Sequence, residues 1–137
     1  GLKRGDNLCV VSNNRVEWAV IAYACYGLGV SVVPMYEAQL SKEWAFIAHD
    51  CGAVGIVAAT KEIAEKCKEV REKAPTLQHV ITLFGGADEP LSYKGLLAAG
   101  AKSPAPSIKP EPRDTACLIY TSGTTGNPKG VILSRRT

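Results

Sequence analysis

The sequence has few of the residues that build metal sites and disulfide frameworks. It contains two histidines in 137 residues, and its five cysteines never form a Cys-x-x-Cys pair. An odd number of widely spaced cysteines indicates neither a zinc site nor a disulfide framework. His79 begins a short apolar run, and the consecutive His49, Asp50 and Cys51 would point in different directions on a helix. We therefore predict reduced cysteines, no metal ligands and no catalytic set at residues 49–51.

Two further absences bear on enzyme class and cellular location. No Gly-x-Ser-x-Gly motif is present, so the sequence lacks the nucleophile motif of the α/β-hydrolases, and the commonest hydrolase class is not indicated. No secretory signal is recognisable, and with unpaired cysteines this favours a reducing, cytoplasmic location. The chain starts at Gly1 and its single methionine is Met35, so we interpret it as a piece of a longer protein. Peripheral association of that parent protein with a membrane stays open.

The net charge is too small to indicate a nucleic-acid partner. It is +3, from 16 basic and 13 acidic residues, and neither nucleic acid nor an anionic membrane is expected on this basis. The excess lies after residue 112, where four residues are basic and only Asp114 is acidic. The basic residues are Arg113, Lys129, Arg135 and Arg136. This placement favours an anionic ligand near the carboxyl-terminal end.

One apolar run is long enough to raise the possibility of a membrane span. No residue from Trp18 to Tyr36 carries a formal charge. Glycines and a proline interrupt the run, however, and the preceding Asn14-x-x-Glu17 is a helix-capping signature. We predict a buried helix over residues 15–26, a glycine stop and a buried strand over residues 30–33. No transmembrane segment is expected.

Strand and helix patterns alternate along the rest of the chain. Strands are predicted at 8–11, 56–59, 79–83 and 116–120, and helices are predicted to begin at the caps Ser41 and Thr60 and to cover 92–99 with a stop at Gly100. This alternation predicts an α/β, Rossmann-like fold, a mostly parallel sheet with helices on both faces.

A proline-rich stretch divides the sequence. Four of the eight prolines fall within residues 104–112, which indicates an extended connector. We predict three units: an α/β subdomain over residues 1–102, the connector over residues 103–113, and a strand, loop and second strand over residues 114–137.

The segment after the last long strand carries the chemistry. From Tyr120 to Val131 it reads YTSGTTGNPKGV, and the residues after the tyrosine combine four hydroxyls, three glycines and one lysine. Glycines let backbone amides approach an anion closely, hydroxyls add short donors and Lys129 adds a compact positive charge. It is not a Walker A loop, because Lys129 stands between Pro128 and Gly130. On composition alone, an ordinary surface hairpin remains the alternative.

The order of these residues resembles the phosphate-binding signature of the adenylate-forming superfamily, the AMP-binding enzymes. Upstream, residues 5–18 and 27–36 look like the family's amino-terminal subdomain. The stretch from Pro34 to Glu37 is most similar to long-chain acyl-CoA synthetases. The resemblance implies that the loop forms part of the amino-terminal subdomain of such an enzyme.

The resemblance also implies a reaction and a set of site residues. In the family, a carboxylate attacks the α-phosphate of Mg-ATP, and coenzyme A then takes the acyl group, so ATP, Mg²⁺, coenzyme A and a fatty acid are implied. The loop would hold the β- and γ-phosphates. The implied hydroxyl donors are Thr121, Ser122, Thr124 and Thr125, the implied close amides are those of Gly123 and Gly126, and Lys129 would act catalytically by offsetting charge on the departing pyrophosphate.

The sequence departs from the family pattern at its end and leaves rival functions open. Relatives usually carry a histidine where Arg135 stands. The parts that recognise adenine and coordinate magnesium lie downstream in relatives, so we expect this chain to fold, to hold phosphate weakly and not to catalyse alone. A noncatalytic nucleotide- or anion-binding module, an aryl- or aminoacyl-adenylating enzyme, and a flavodoxin-like domain with a coincidental loop remain alternatives.

Overall fold

The structure is a computed structural model that describes residues 1–121 and 126–136. Strands and helices alternate until a final pair of strands. The strands are β1 (Asn7–Val11), β2 (Ser31–Met35), β3 (Gly55–Ala58), β4 (His79–Thr82), β5 (Thr115–Thr121) and β6 (Lys129–Ser134), and the helices are α1 (Val16–Leu28), α2 (Ser41–Asp50), α3 (Lys61–Lys73) and α4 (Tyr93–Lys102). The mixed α/β class predicted from the alternation is confirmed.

All six strands join one sheet in the order β4-β3-β1-β2-β5-β6. The first five strands pair in parallel, and only the pairing of β5 with β6 is antiparallel. Parallel strands that follow each other in the sequence need a crossover connection, and each of the four connections from β1 to β5 contains a helix. The predicted mostly parallel sheet is therefore confirmed, and its last two strands form the predicted hairpin.

Apolar side chains pack against both faces of the central strands β1, β2 and β3. On one face α2 and α3 pack on the alternate strand residues Cys9, Val11 and Ile56. On the other face α1 packs on the intervening residues Val10 and Val57. Strands buried on both faces read as continuous apolar runs, which is why the sequence pattern located them.

The uncharged run from Trp18 to Tyr36 divides as predicted into a helix and a strand. The dividing residue is Gly29, whose φ of 70° is left-handed and whose amide reaches back to the carbonyls of Cys25 and Tyr26. No helix in the described parts of the chain, 1–121 and 126–136, has the length and apolarity that crossing a bilayer would need.

The predicted cap at the start of α1 is wrong. The N-cap residue is Arg15, with no side-chain hydrogen bond to the helix. Glu17, which was expected to complete a capping box with Asn14, instead forms an ion pair with the Arg15 guanidinium at 3.2 Å. The helix thus starts without a side-chain cap and depends on packing of its inner face.

Of the N-caps predicted for the next two helices, one is wrong and one is confirmed. The predicted Ser41 cap is off by one residue: Leu40 is the N-cap, and its amide donates to the Glu43 carboxylate at 2.9 Å. The Thr60 cap of α3 is confirmed, since its hydroxyl accepts from the Ile63 amide at 3.2 Å.

The connector before β5 lies against α1. The amide of Ile108 donates to the carbonyl of Gly27 at 2.8 Å, and a Cβ added at Gly29 would lie 2.6 Å from Ile108 Cδ1. The preceding helix α4 continues past Gly100 to Lys102, so the predicted stop is wrong. Space is open around Gly100, and its backbone keeps helical geometry.

Candidate functional site

The chemistry-bearing hairpin leaves the sheet at the carboxyl end of its parallel strands. β5 runs parallel to β2, with Cys117 opposite Val32, so its last residue Thr121 lies at the edge where β1 and β2 also end. The antiparallel β6 returns from that edge, and its first residue, Lys129, is directly opposite Thr121. Thr121 and Lys129 are therefore cross-strand neighbours where the loop begins and ends.

The structure places three of the proposed site residues and is silent on the rest. Thr121 and Lys129 are exposed, and Gly126 has a φ of 124°, a conformation that favours glycine. Ser122, Gly123, Thr124 and Thr125 lie outside the described residues. Among the ion pairs of residues 1–121 and 126–136, none involves Lys129.

A second polar turn lies at the same edge of the sheet. The residues that follow β1 and β2 are joined there, because the amide of Asn13 donates to the Glu37 carboxylate at 2.8 Å. Both residues belong to stretches whose sequence resembled the family, yet no chemical role was predicted for either. Their contact orders the two turns that share the carboxyl edge with the hairpin.

Sequence reasoning missed the contact that ties the hairpin to a helix. The Tyr120 hydroxyl donates to Asp50 Oδ2 at 2.6 Å, and Asp50 is the last residue of α2. Burial, followed by this hydrogen bond, raises the pKa of the Tyr120 hydroxyl. A Cβ at Gly130, the residue opposite Tyr120, would lie 3.0 Å from its ring. No local pattern joins residues 70 positions apart, so spacing offered no signal for this pair.

Arg135 is held by the face of an aromatic ring. Its guanidinium carbon lies 5.0 Å from the ring centroid of Tyr26, and its backbone amide donates to the carbonyl of Asp114 at 2.9 Å. The Nε and one terminal nitrogen are buried without a hydrogen-bond partner among the described residues. The residue that replaces the usual histidine thus packs beside α1, at the opposite end of β6 from Lys129.

Comparison with known proteins supplies the family. The model of the AMP-binding enzyme family matches residues 1–137. The chain belongs to the AMP-binding enzyme family. This confirms the resemblance that was recognised in the segment from Tyr120 to Val131.

Three relatives illustrate the similarity. A peroxisomal long-chain acyl-CoA synthetase 7 of Arabidopsis thaliana is 32% identical over 98% of this chain and 21% of its own length. A crystal structure of a long-chain-fatty-acid-CoA ligase from Archaeoglobus fulgidus superposes with a TM-score of 0.84 at 29% identity, over 98% of this chain and 26% of that one. ATP-bound MatB from Rhodopseudomonas palustris gives 0.78 at 26% identity, over the same shares of 98% and 26%.

The chain spans about a fifth of the length of the sequence relatives it matches, 21% in the Arabidopsis case. The similarity extends over the whole sheet and not over the hairpin alone. The flavodoxin-like alternative with a coincidental loop therefore loses its basis, because the AMP-binding family model covers every residue of the chain.

Proposed function

We propose that this chain is the phosphate-holding, amino-terminal part of an ATP-dependent acid–thiol ligase. The parent enzyme would activate a long-chain fatty acid as its acyl-adenylate and transfer the acyl group to coenzyme A. The observation that carries the proposal is the hairpin, in which Thr121 and Lys129 are directly paired across the two strands at the carboxyl edge of a parallel sheet.

The donor set suits the oxygens of a triphosphate. Hydroxyls and amides donate short hydrogen bonds, and a lysine contributes a compact charge that needs no fixed orientation. Thr121, Gly126 and Lys129 are all exposed, so the described residues at the two ends of the loop are accessible from solvent. Ser122, Gly123, Thr124 and Thr125 are proposed as the remaining donors on the strength of the family signature alone.

During adenylation the developing negative charge lies on the departing pyrophosphate. Preorganised donors are most effective where charge develops, since they need not reorient during the reaction. In the proposed reaction Lys129 stabilises the β- and γ-phosphates as the bond to the α-phosphate breaks. ATP supplies the adenylyl group, and coenzyme A supplies the thiol of the second step.

Magnesium has no assigned ligands in this part of the enzyme. Residues 1–121 and 126–136 contain no group of three His, Cys, Asp or Glu side chains that could hold a metal ion. The chemistry proposed for this chain is its contacts with the phosphates of ATP. The choice of a long-chain acid is supported by the similarity to the Arabidopsis synthetase and to the Archaeoglobus ligase.

The test is pyrophosphate exchange in the intact protein that contains this chain. We expect exchange between ATP and labelled pyrophosphate to depend on an added long-chain fatty acid, and less on aryl or amino acids. Lys129→Ala should lower kcat/KM for ATP by about 10- to 100-fold, because a hydrogen bond to a charged group contributes about 1.5–3 kcal/mol. Lys94→Ala, at an exposed position on α4, is the matched control.

The stability of the Lys129 variant should be unchanged within about 0.5 kcal/mol, because exposed substitutions rarely exceed that value. Unchanged exchange in Lys129→Ala would contradict the assigned role. Exchange that requires an aromatic acid or an amino acid would indicate an aryl- or aminoacyl-adenylating enzyme in place of a fatty-acid ligase. Phosphate binding without any exchange in the intact protein would indicate a noncatalytic binding module.

A further inference from the structure

Tyr120 is the side chain that connects the proposed phosphate loop to the rest of the fold. Its ring packs against the core between the sheet and helices α2 and α3. Its hydroxyl donates to Asp50 at 2.6 Å, at the last residue of α2. Across the hairpin the ring lies so close to Gly130 that a Cβ there would be 3.0 Å from Cζ. One residue thus contacts β6, the sheet core and the end of a helix.

Tyr120 lies next to both ends of the proposed phosphate loop. Tyr120 immediately precedes Thr121, and its cross-strand partner Gly130 immediately follows Lys129. Both ends of the loop are therefore one residue from the Tyr120 ring. The pairing that joins β5 to β2 within the described residues is a single position, Val32 with Cys117, three residues earlier. Beyond it, the hydrogen bond to Asp50 holds the end of the hairpin against the helices.

The acceptor has chemistry that strengthens this attachment. Asp50 is a carboxylate, and hydrogen bonds from a hydroxyl to an ionised acceptor are shorter and stronger than neutral ones. The distance of 2.6 Å lies within the range of about 2.5–2.7 Å that such charge-assisted bonds show. The glycine at position 130 leaves the space that the ring needs in order to lie flat on the neighbouring strand.

We propose that Tyr120 and Asp50 act as a positioning pair, whose hydrogen bond holds the phosphate loop in the geometry that receives the triphosphate of ATP. This inference rests on the proposed function. Neither side chain is assigned a contact with substrate. Tyr120 acts through the backbone of Thr121 and, across the hairpin, through Lys129. Loss of the bond leaves the core packing of the ring in place and loosens the mouth of the loop.

The test compares four variants of the intact protein in acid-dependent pyrophosphate exchange. Tyr120→Phe and Asp50→Ala each remove the bond, and each should raise KM for ATP by about 5- to 20-fold with kcat changed by less than about 3-fold. Asp50→Asn keeps an acceptor oxygen and should restore KM to within about 3-fold of wild type. The double variant of Tyr120→Phe with Asp50→Ala should be no worse than either single one.

The control is Tyr23→Phe, which removes a hydroxyl from an exposed tyrosine on α1. It should leave KM unchanged. An unchanged KM in Tyr120→Phe, an Asp50→Asn variant as impaired as Asp50→Ala, or additive effects in the double variant would each overturn the pair. A fall in kcat alone, in proportion to the folded fraction, would reduce Tyr120 to a packing residue and also overturn it.

A separate measurement distinguishes failure of this inference from failure of the proposed function. If the wild-type protein shows no exchange, the ligase proposal fails. The pair is then tested by the Kd of inorganic pyrophosphate, followed by phosphorus NMR, which Tyr120→Phe should raise by the same 5- to 20-fold. An equal Kd for wild type and Tyr120→Phe would overturn the pair in that case also.

Discussion

Gly29 is the residue at which a single methyl group should be most damaging to this fold. It ends α1 with a φ of 70°, and its carbonyl accepts from the amide of Gly5 at 2.9 Å. An added Cβ would lie 2.6 Å from Ile108 Cδ1 and 2.9 Å from Arg4 Cγ. Gly29→Ala therefore combines an unfavourable backbone conformation with two collisions, where the amino-terminal segment and the proline-rich connector meet.

Two other glycines separate these effects. Gly52 has a φ of 60° but nothing within 4 Å of its added Cβ, and Gly100 lies in α4 with open space around it. A left-handed conformation costs a residue with a side chain about 1–2 kcal/mol. Overpacking adds about 1–3 kcal/mol, although flexible neighbours such as Ile108 reduce it. In a helix, alanine is favoured over glycine by about 0.5–1 kcal/mol.

The expected order of unfolding free energies follows from these terms. Gly29→Ala should lose about 2–4 kcal/mol, Gly52→Ala about 1 kcal/mol, and Gly100→Ala should gain about 0.5 kcal/mol. Urea unfolding followed by circular dichroism measures each value, with the slope m compared to check that the denatured states are equivalent. Equal losses at Gly29 and Gly52 would refute the argument from contacts. A loss at Gly100 as large as that at Gly52 would refute the argument from backbone conformation.

Two further predictions concern a cap and an ion pair. Thr60→Ala removes the acceptor of the Ile63 amide at 3.2 Å and should cost about 1 kcal/mol, whereas Thr60→Ser should cost less than half of that in the same urea assay. The hydrogen bond from the Arg4 guanidinium, with its charge, lowers the pKa of Asp114 below the ordinary 3.8, so the unfolded chain binds the proton first as the pH falls. The stabilisation is therefore present above pH 3.8 and is lost as the pH falls through the lower pKa of the folded state. In Asp114→Asn the free energy of unfolding should fall less steeply than in wild type as the pH is lowered below 3.8, and an equally steep fall would contradict this assignment.

The features predicted correctly from the sequence are those set by burial and by local backbone demands. Apolar runs located β1, β2 and β3 because these strands are buried on both faces. The stripe that includes Ile63, Cys67 and Val70 located the inner face of α3, where all three are buried. The glycine stop predicted after residue 26 lies at Gly29, because only a glycine enters the left-handed region at low cost and the φ of Gly29 is 70°.

The errors lie where two local signals compete or where the partner is distant. Asn14 and Ser41 have good capping side chains, but the N-cap of each helix lies one residue from the expected position. Glu17 pairs with Arg15, and Glu43 accepts from the amide of Leu40, the actual N-cap. The bond between Tyr120 and Asp50 was not predictable, because it depends on how β5 enters the sheet beside β2. Tertiary placement, and not periodicity, determines such contacts.

The change from parallel to antiparallel pairing gives the candidate site its geometry. Had the strand after β5 also been parallel, a crossover would have carried Lys129 to the amino end of the sheet, away from Thr121. The antiparallel pairing instead brings both residues to the edge where the turns of Asn13 and Glu37 lie. The same pairing places Gly130 opposite Tyr120, so the strand that delivers the lysine also provides the space for the ring. The position of Lys129 and the attachment of the hairpin to α2 are thus consequences of a single antiparallel pairing.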